Sequence, residues 1–127
     1  MKRVKQNPSR EKQIVEAELR RFREPYDRLK AELAVLGYVC QGTITRRSLP
    51  CGKPSCACRK DPGRRHGPYY YWTAKMAGRT QSRMLTPAMV PLYREGIRNH
   101  QRIEAILKKM RGISLQAFEV AKIRSKA

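Results

Sequence analysis

The sequence predicts an α+β protein: long N-terminal and C-terminal helices packed on a small antiparallel sheet, with a loop rich in metal-ligand residue types set into that sheet. Three observations predict it. Apolar residues recur at helical spacing in the first third of the chain. An aromatic run with alternating polarity is followed by a tight turn and a second strand-like run. Three cysteines and a histidine cluster between two strand-like segments.

Val15, Leu19, Phe22, Tyr26, Leu29, Leu33 and Leu36 follow one another at steps of 4, 3, 4, 3, 4 and 3. That heptad seam marks a helix with one narrow buried stripe. Asn7-Pro8-Ser9 is a start signal and Gly37 a terminator. Pro25 removes a backbone donor, so a kink is expected, or two helices with the second opening at Pro25. The seam suits an antiparallel hairpin or a homodimer, and the spacing does not choose between them.

Tyr38–Leu49 reads as extended, with Gly42 as a bulge or bend. Pro50 ends it, and a loop without regular structure is expected from Cys51 to Pro68 because Gly52, Pro54, Pro62, Gly63 and Gly67 punctuate it. Tyr69–Met76 alternates as a strand, with Tyr70, Trp72, Ala74 and Met76 on one face and Tyr69, Tyr71, Thr73 and Lys75 on the other. Ala77-Gly78 is a tight turn and Arg79–Leu85 the returning strand. A helix then starts at Thr86-Pro87 or, in regular form, at Pro91. Its stripe is Met89, Tyr93, Ile97, His100, Ile103, Leu107 and Met110; Gly112 is expected to end it, with a last short helix after Ile113. The parts are a helical arm over 1–36, a sheet with its loop over 37–86 and C-terminal helices over 87–127, forming one domain overall.

Charge is the main compositional signal. Twenty-nine Lys and Arg against ten Asp and Glu give a net +19 over 127 residues. Such a field favours polyanions. It is uneven: residues 1–36 carry +4, residues 87–127 carry +6, and residues 37–86 carry +9, with ten bases against the single acid Asp61. The N-terminal residues are basic but lead into no apolar run, so no secretory signal is read there. No stretch reaches the roughly 18 apolar residues of a membrane span. A cytoplasmic protein is expected, and in that compartment clustered cysteines point to metal rather than to disulfides.

The cluster is Cys51-x4-Cys56-x-Cys58-x7-His66. Thiolates and a neutral imidazole in that number close a tetrahedral Zn²⁺ shell. The site reads as a structural zinc knuckle, because four protein ligands leave no open position and Asp61 is the only acid in the loop. A redox switch at Cys56 or Cys58 is the competing reading. An iron–sulfur site would need Cys40 as its fourth thiolate, and Cys40 reads instead as a small hydrophobe in the first strand.

Around the loop, Arg46, Arg47, Lys53, Arg59, Lys60, Arg64, Arg65, Lys75, Arg79 and Arg83 are candidate phosphate contacts. Tyr69 and Tyr71 are candidate stacking residues for bases or a ribose, while Trp72 and Tyr70 read as core. His100 reads as an interior histidine. There is no phosphate-cradling glycine loop, no pair of metal-binding carboxylates and no serine–histidine arrangement, so no enzyme is expected.

The strings Cys51-Gly-Lys-Pro-Ser-Cys56-Ala-Cys58 and His66-Gly-Pro-Tyr-Tyr-Tyr-Trp72, followed by Gly78-Arg79-Thr80, resemble a prokaryotic family known only as a domain of unknown function. The resemblance covers roughly residues 33–120. It implies the same ligand set, leaves Cys40 outside it, and is similar to small accessory genes of mobile elements. The expected function is therefore a zinc-stabilised nucleic-acid-binding accessory protein, favouring RNA or a ribonucleoprotein over DNA. The rival is an adaptor that docks a larger mobile-element protein, a recombinase or nuclease, through its helical seams. A thiol enzyme is a second rival.

Overall fold

A computed structural model describes residues 8–49, 53–64 and 66–126. Among these residues the architecture is α+β, with three α-helices and a three-stranded antiparallel sheet: α1 (Pro8–Arg21), α2 (Arg23–Ala34), β1 (Thr43–Leu49), β2 (His66–Met76), β3 (Arg79–Leu85) and α3 (Val90–Ser125). The chain forms two compact units. One is Gly37–Gln101; the other joins the chain through Leu36 to the chain from Arg102 on.

In the helical unit the seam predicted from Val15 to Leu36 is present, but each of its residues is only half-buried. The helix breaks at Phe22, not at Pro25. The ring of Pro25 cannot coexist with a helical carbonyl four residues back, at Arg21, so the disturbance appears one turn upstream. Phe22 flattens to φ −94° and ψ −1°, and its N–H donates to Leu19 O at 3.2 Å, a tighter turn than α. Pro25 then sits in the first turn of α2, where its missing donor costs least.

α3 is 36 residues long and does not stop at Gly112. Ile106, Met110, Ile113, Ala117 and Ala121 stay on one face at steps of 4, 3, 4 and 4, so the buried stripe crosses Gly112 in phase. Glycine ends a helix when the chain needs a left-handed residue there, and Gly112 is not among the residues with positive φ. A Cβ at Gly112 would meet nothing within 4 Å. Gly112→Ala is therefore expected to stabilise the protein by up to about 1 kcal/mol in denaturant titration.

Glu18 was not singled out by the sequence, yet it is buried to 6% exposure. It accepts from Arg21 Nη1 at 2.6 Å and lies 3.3 Å from Arg124 Nε. A buried carboxylate survives only when paired, and Arg124 supplies that pairing from the far end of α3. Within this unit α1–α2 and the second half of α3 thus run antiparallel.

In the other unit the sheet order is β1-β2-β3, a simple meander. The hairpin lies where the alternation places it. Met76 pairs with Arg79 around a two-residue turn, Ala77 at φ 51° and Gly78 at φ 76°. Two positive φ values make the turn whose twist matches the strands. Glycine takes that conformation freely and alanine does not, so Ala77→Gly or Ala77→Asn is expected to raise the thermal midpoint, by about 0.5–1 kcal/mol in stability.

The extended segment predicted from Tyr38 pairs as a strand only from Thr43. Residues 38–41 turn their hydrogen bonds elsewhere: Asn99 Nδ2 donates to Tyr38 O at 2.8 Å, Cys40 N–H to Gly96 O at 3.1 Å, and Trp72 Nε1 to Gln41 O at 2.8 Å. This segment therefore lies along the start of α3. Gly42 makes the bend at φ 120°; a Cβ there would fall 2.5 Å from Trp72 Nε1 and 2.6 Å from Thr73 O. β2 begins at His66, three residues earlier than expected, because Leu49 and His66 already pair across a register shift in β1.

The core of this unit is Trp72, Ala74, Leu85 and Val90, with Ile44, Tyr70, Tyr93 and Ile97 against it. The alternation assigned Tyr70, Trp72 and Ala74 to the covered face, and they lie there. Met76, the fourth, is 46% exposed at the hairpin end. On the part of α3 that lies in this unit the deeply buried positions are Val90, Gly96 and Asn99, while Met89 just before it is 40% exposed; the stripe is rotated from the one predicted.

Candidate functional site

The loop between β1 and β2 is wound into successive turns. Cys56 N–H donates to Lys53 O at 3.2 Å, Arg59 N–H to Cys56 O at 3.2 Å and Lys60 N–H to Ala57 O at 3.2 Å. Two 3₁₀ turns follow, Ala57–Arg59 and Pro62–Arg64, where no regular structure was expected. Asp61 organises the second: its Oδ1 accepts from Gly63 N–H at 2.9 Å and its Oδ2 lies 3.6 Å from Arg64 Nε. The acid of the loop thus serves the loop's own geometry.

These turns bring Cys56 back to the first residue of β2. Cys56 Sγ lies 3.3 Å from His66 Nε2. Two ligands at about 2.3 Å (sulfur) and about 2.0 Å (nitrogen) from one zinc, at a tetrahedral angle, stand about 3.6 Å apart. The observed separation is within a few tenths of an ångström of that edge. Cys51 lies outside the described residues, as does the side chain of Cys58, although its backbone forms the middle of the first 3₁₀ turn, two positions from Cys56. Among the described residues no group of three potential metal ligands is gathered.

Cys40 is remote from this pair in its contacts. Its thiol donates to Tyr93 O at 3.6 Å, and burial pushes the thiol pKa up. Such a thiol is a poor nucleophile and a reluctant ligand.

The sheet sorts the candidate nucleic-acid contacts into two groups. Directly paired residues share a face. Arg47 pairs with Tyr69, Thr45 with Tyr71, Thr43 with Thr73, and on the other side Met84 pairs with Tyr71, Ser82 with Thr73 and Thr80 with Lys75. These residues form one face, and none of them is buried. Arg46, Arg79 and Arg83 pair with Tyr70, Met76 and Trp72, so they belong to the covered face and are exposed at its two edges. The single platform expected from the sequence is thus divided between two faces.

The open face carries no acid, since β1, β2 and β3 contain neither Asp nor Glu. Arg47 Cζ lies 5.3 Å from the centre of the Tyr71 ring, a cation–π contact. Tyr69 is 36% exposed. Lys53, Arg59, Lys60 and Arg64 are exposed on the loop that leads into the same strand, and Arg65 lies outside the described residues. Arg94, which the sequence did not single out, covers Tyr70 from α3 at 5.6 Å.

No helix is long and apolar enough to cross a membrane among the described residues. No curated protein and no solved structure matches the chain. A family model does match, described as a domain of unknown function (DUF6788), over residues 15–95. That span begins in the apolar seam, earlier than the resemblance suggested, and ends in the first turns of α3. It contains the whole sheet and the Cys56–His66 pair, and it covers well over half of the sequence. The chain therefore belongs to this family of unknown function.

Proposed function

We propose that the protein is a zinc-stabilised nucleic-acid-binding accessory protein whose open sheet face takes unpaired nucleotides, with RNA favoured. The observation that carries this reading is that face: Tyr69 and Tyr71 two residues apart, Arg47 on the Tyr71 ring, Lys75 beyond, and no carboxylate on any strand. Aromatic rings on an acid-free cationic sheet stack bases while nearby bases hold phosphates. An antiparallel sheet with one covered face leaves the other free for this use. The Cys56–His66 approach supports a structural ion shared with Cys51 and Cys58. Its role is to hold the basic loop against the start of β2, where a small sheet has little core of its own.

The test is fluorescence anisotropy with a labelled single-stranded RNA over a salt series. Affinity is expected to fall steeply with ionic strength. Tyr69→Ala and Tyr71→Ala should each cost about 1–3 kcal/mol of binding. Arg47→Ala and Lys75→Ala should each reduce the salt slope by about 0.7. Arg79→Ala and Arg83→Ala, on the other face, should change both less. Binding that ignores salt and all four open-face substitutions would remove this reading.

One observation favours the second reading, an adaptor that docks a larger mobile-element protein, a recombinase or nuclease, through its helical seams. The seam residues Leu19, Phe22 and Tyr26 share an open groove with Ile113, Ala117 and Phe118, and Phe118 is 58% exposed. A complex built on that groove should barely respond to salt.

A further inference from the structure

The Gly37–Gln101 unit holds a second concavity, of about 580 Å³, separate from the metal loop and from the open face. Trp72 and Tyr93 stand together in its wall with ring centres 5.5 Å apart, and Tyr38, Met76, Leu92 and Glu95 complete its mouth. Two features set it apart from the rest of the surface. Among the described residues, none that lines it is Lys or Arg, in a chain with 29 of them. Its single charged lining group is the carboxylate of Glu95, which makes no ion pair among the described residues.

We infer that this pocket binds an alkylated ammonium group, seated against Tyr38, Trp72 and Tyr93 with Glu95 as its counter-ion. Ring faces carry negative quadrupole density and attract a cation whose alkyl substituents leave it weakly hydrated. The apolar floor takes those substituents, and the volume is that of a small-ligand site. Among the described residues no cationic side chain lines it to offer an anion a counter-charge. The protein's net positive field opposes a cation from afar, but salt screens it beyond about 8 Å, whereas Glu95 acts at contact. The site also accounts for otherwise unexplained exposure: Tyr38 is 95% exposed, Leu92 57% and Met76 46%, all at this one mouth. The backbone beneath Tyr38 is pinned by the Asn99 side chain, so the ring is presented from a fixed point. A free quaternary ammonium compound and a trimethyllysine side chain present the same group.

Trp72 is the chain's one tryptophan, so its emission reports the pocket directly. Full-length protein is titrated with choline, with a short trimethyllysine peptide, and with 3,3-dimethylbutan-1-ol, the neutral carbon isostere of choline. Saturable change is expected with an ammonium probe, and at least about fivefold weaker binding of the alcohol. Glu95→Gln should weaken the ammonium probe by at least about fivefold and leave the alcohol unchanged, and Tyr38→Ala should weaken the ammonium probe more than the alcohol. Both positions are exposed, so circular dichroism should show intact folds. Choline alone binding points to a free small molecule, and the peptide binding more tightly points to a protein tail; both carry the inference. Equal binding of the alcohol and choline, indifference to Glu95→Gln, or no saturation by either ammonium probe overturns it. RNA binding is read separately, so failure here leaves the open-face reading standing.

Discussion

The purified protein is expected to carry one equivalent of zinc and to lose its ordered loop when a chelator withdraws the ion. The loop's hydrogen bonds are local turns, which hold little structure without a staple. Apparent binding free energy at a structural zinc site is on the order of 10 kcal/mol, and much of it is folding free energy. Cys56→Ser and His66→Ala should each lower zinc affinity by more than about 100-fold, above the loss typical of a residue that only supports a ligand. Cys51→Ser and Cys58→Ser should do the same. Cys40→Ser should retain full stoichiometry, because that thiol is committed to Tyr93 O in a different part of the unit. Acidification should release the ion, since thiolate and neutral imidazole are the binding forms and protons compete for both. Metal analysis with a thermal melt reads all of this. A folded protein with well under half an equivalent of zinc would remove the site, and a folded, inactive set of Cys→Ser variants would point to thiol chemistry instead.

The second large effect is expected at Trp72. Trp72→Ala should destabilise the Gly37–Gln101 unit by about 3–5 kcal/mol, the range for deleting a buried aromatic side chain. Trp72 is 8% exposed in the core cluster with Ala74, Leu85 and Val90, and its ring lies against Tyr93 of α3. It also has a polar task. Its Nε1 donates to Gln41 O, which ties residues 38–41 to the sheet through a side chain rather than through strand pairing. Trp72→Phe separates the two contributions, since it keeps most of the apolar bulk and leaves the Gln41 carbonyl without its donor. A loss of about 1–3 kcal/mol is expected for the phenylalanine variant by urea titration. If both variants lie within about 0.5 kcal/mol of the parent, the range of an ordinary surface change, the core is not centred on this residue.

Several features could be read in advance because they depend on neighbours in sequence. The hairpin from Tyr69 to Leu85 is such a case: alternation sets the face of each side chain, and Ala77-Gly78 sets the register, so Tyr70, Trp72 and Ala74 could be named on the covered face of β2, though not the exposure of Met76 at its end. The Cys/His spacing was also visible, and Cys56 and His66 do meet. The division of the basic residues was not. Whether Arg46 or Arg47 joins Tyr69 and Tyr71 depends on the pairing of β1 with β2, which keeps one register from Thr43 to Arg47 and shifts only between Arg47 and Leu49. A one-residue difference in that pairing exchanges the two arginines.

What the chain determined by itself was local and periodic: the α+β class, the seam, the hairpin, the ligand spacing and the charge. These follow from backbone geometry and side-chain period, which act over a few residues. Tertiary structure alone decided the rest. Glycine at 112 is helical because buried positions on either side of it stay in phase along one face of α3. Residues 38–41 give up strand pairing because Asn99, Gly96 and Trp72 offer better partners. Glu18 is buried because Arg124, more than a hundred residues away in sequence, reaches it. In each case the outcome rests on a partner distant along the chain, and burial or hydrogen bonding to that partner outweighs the local preference.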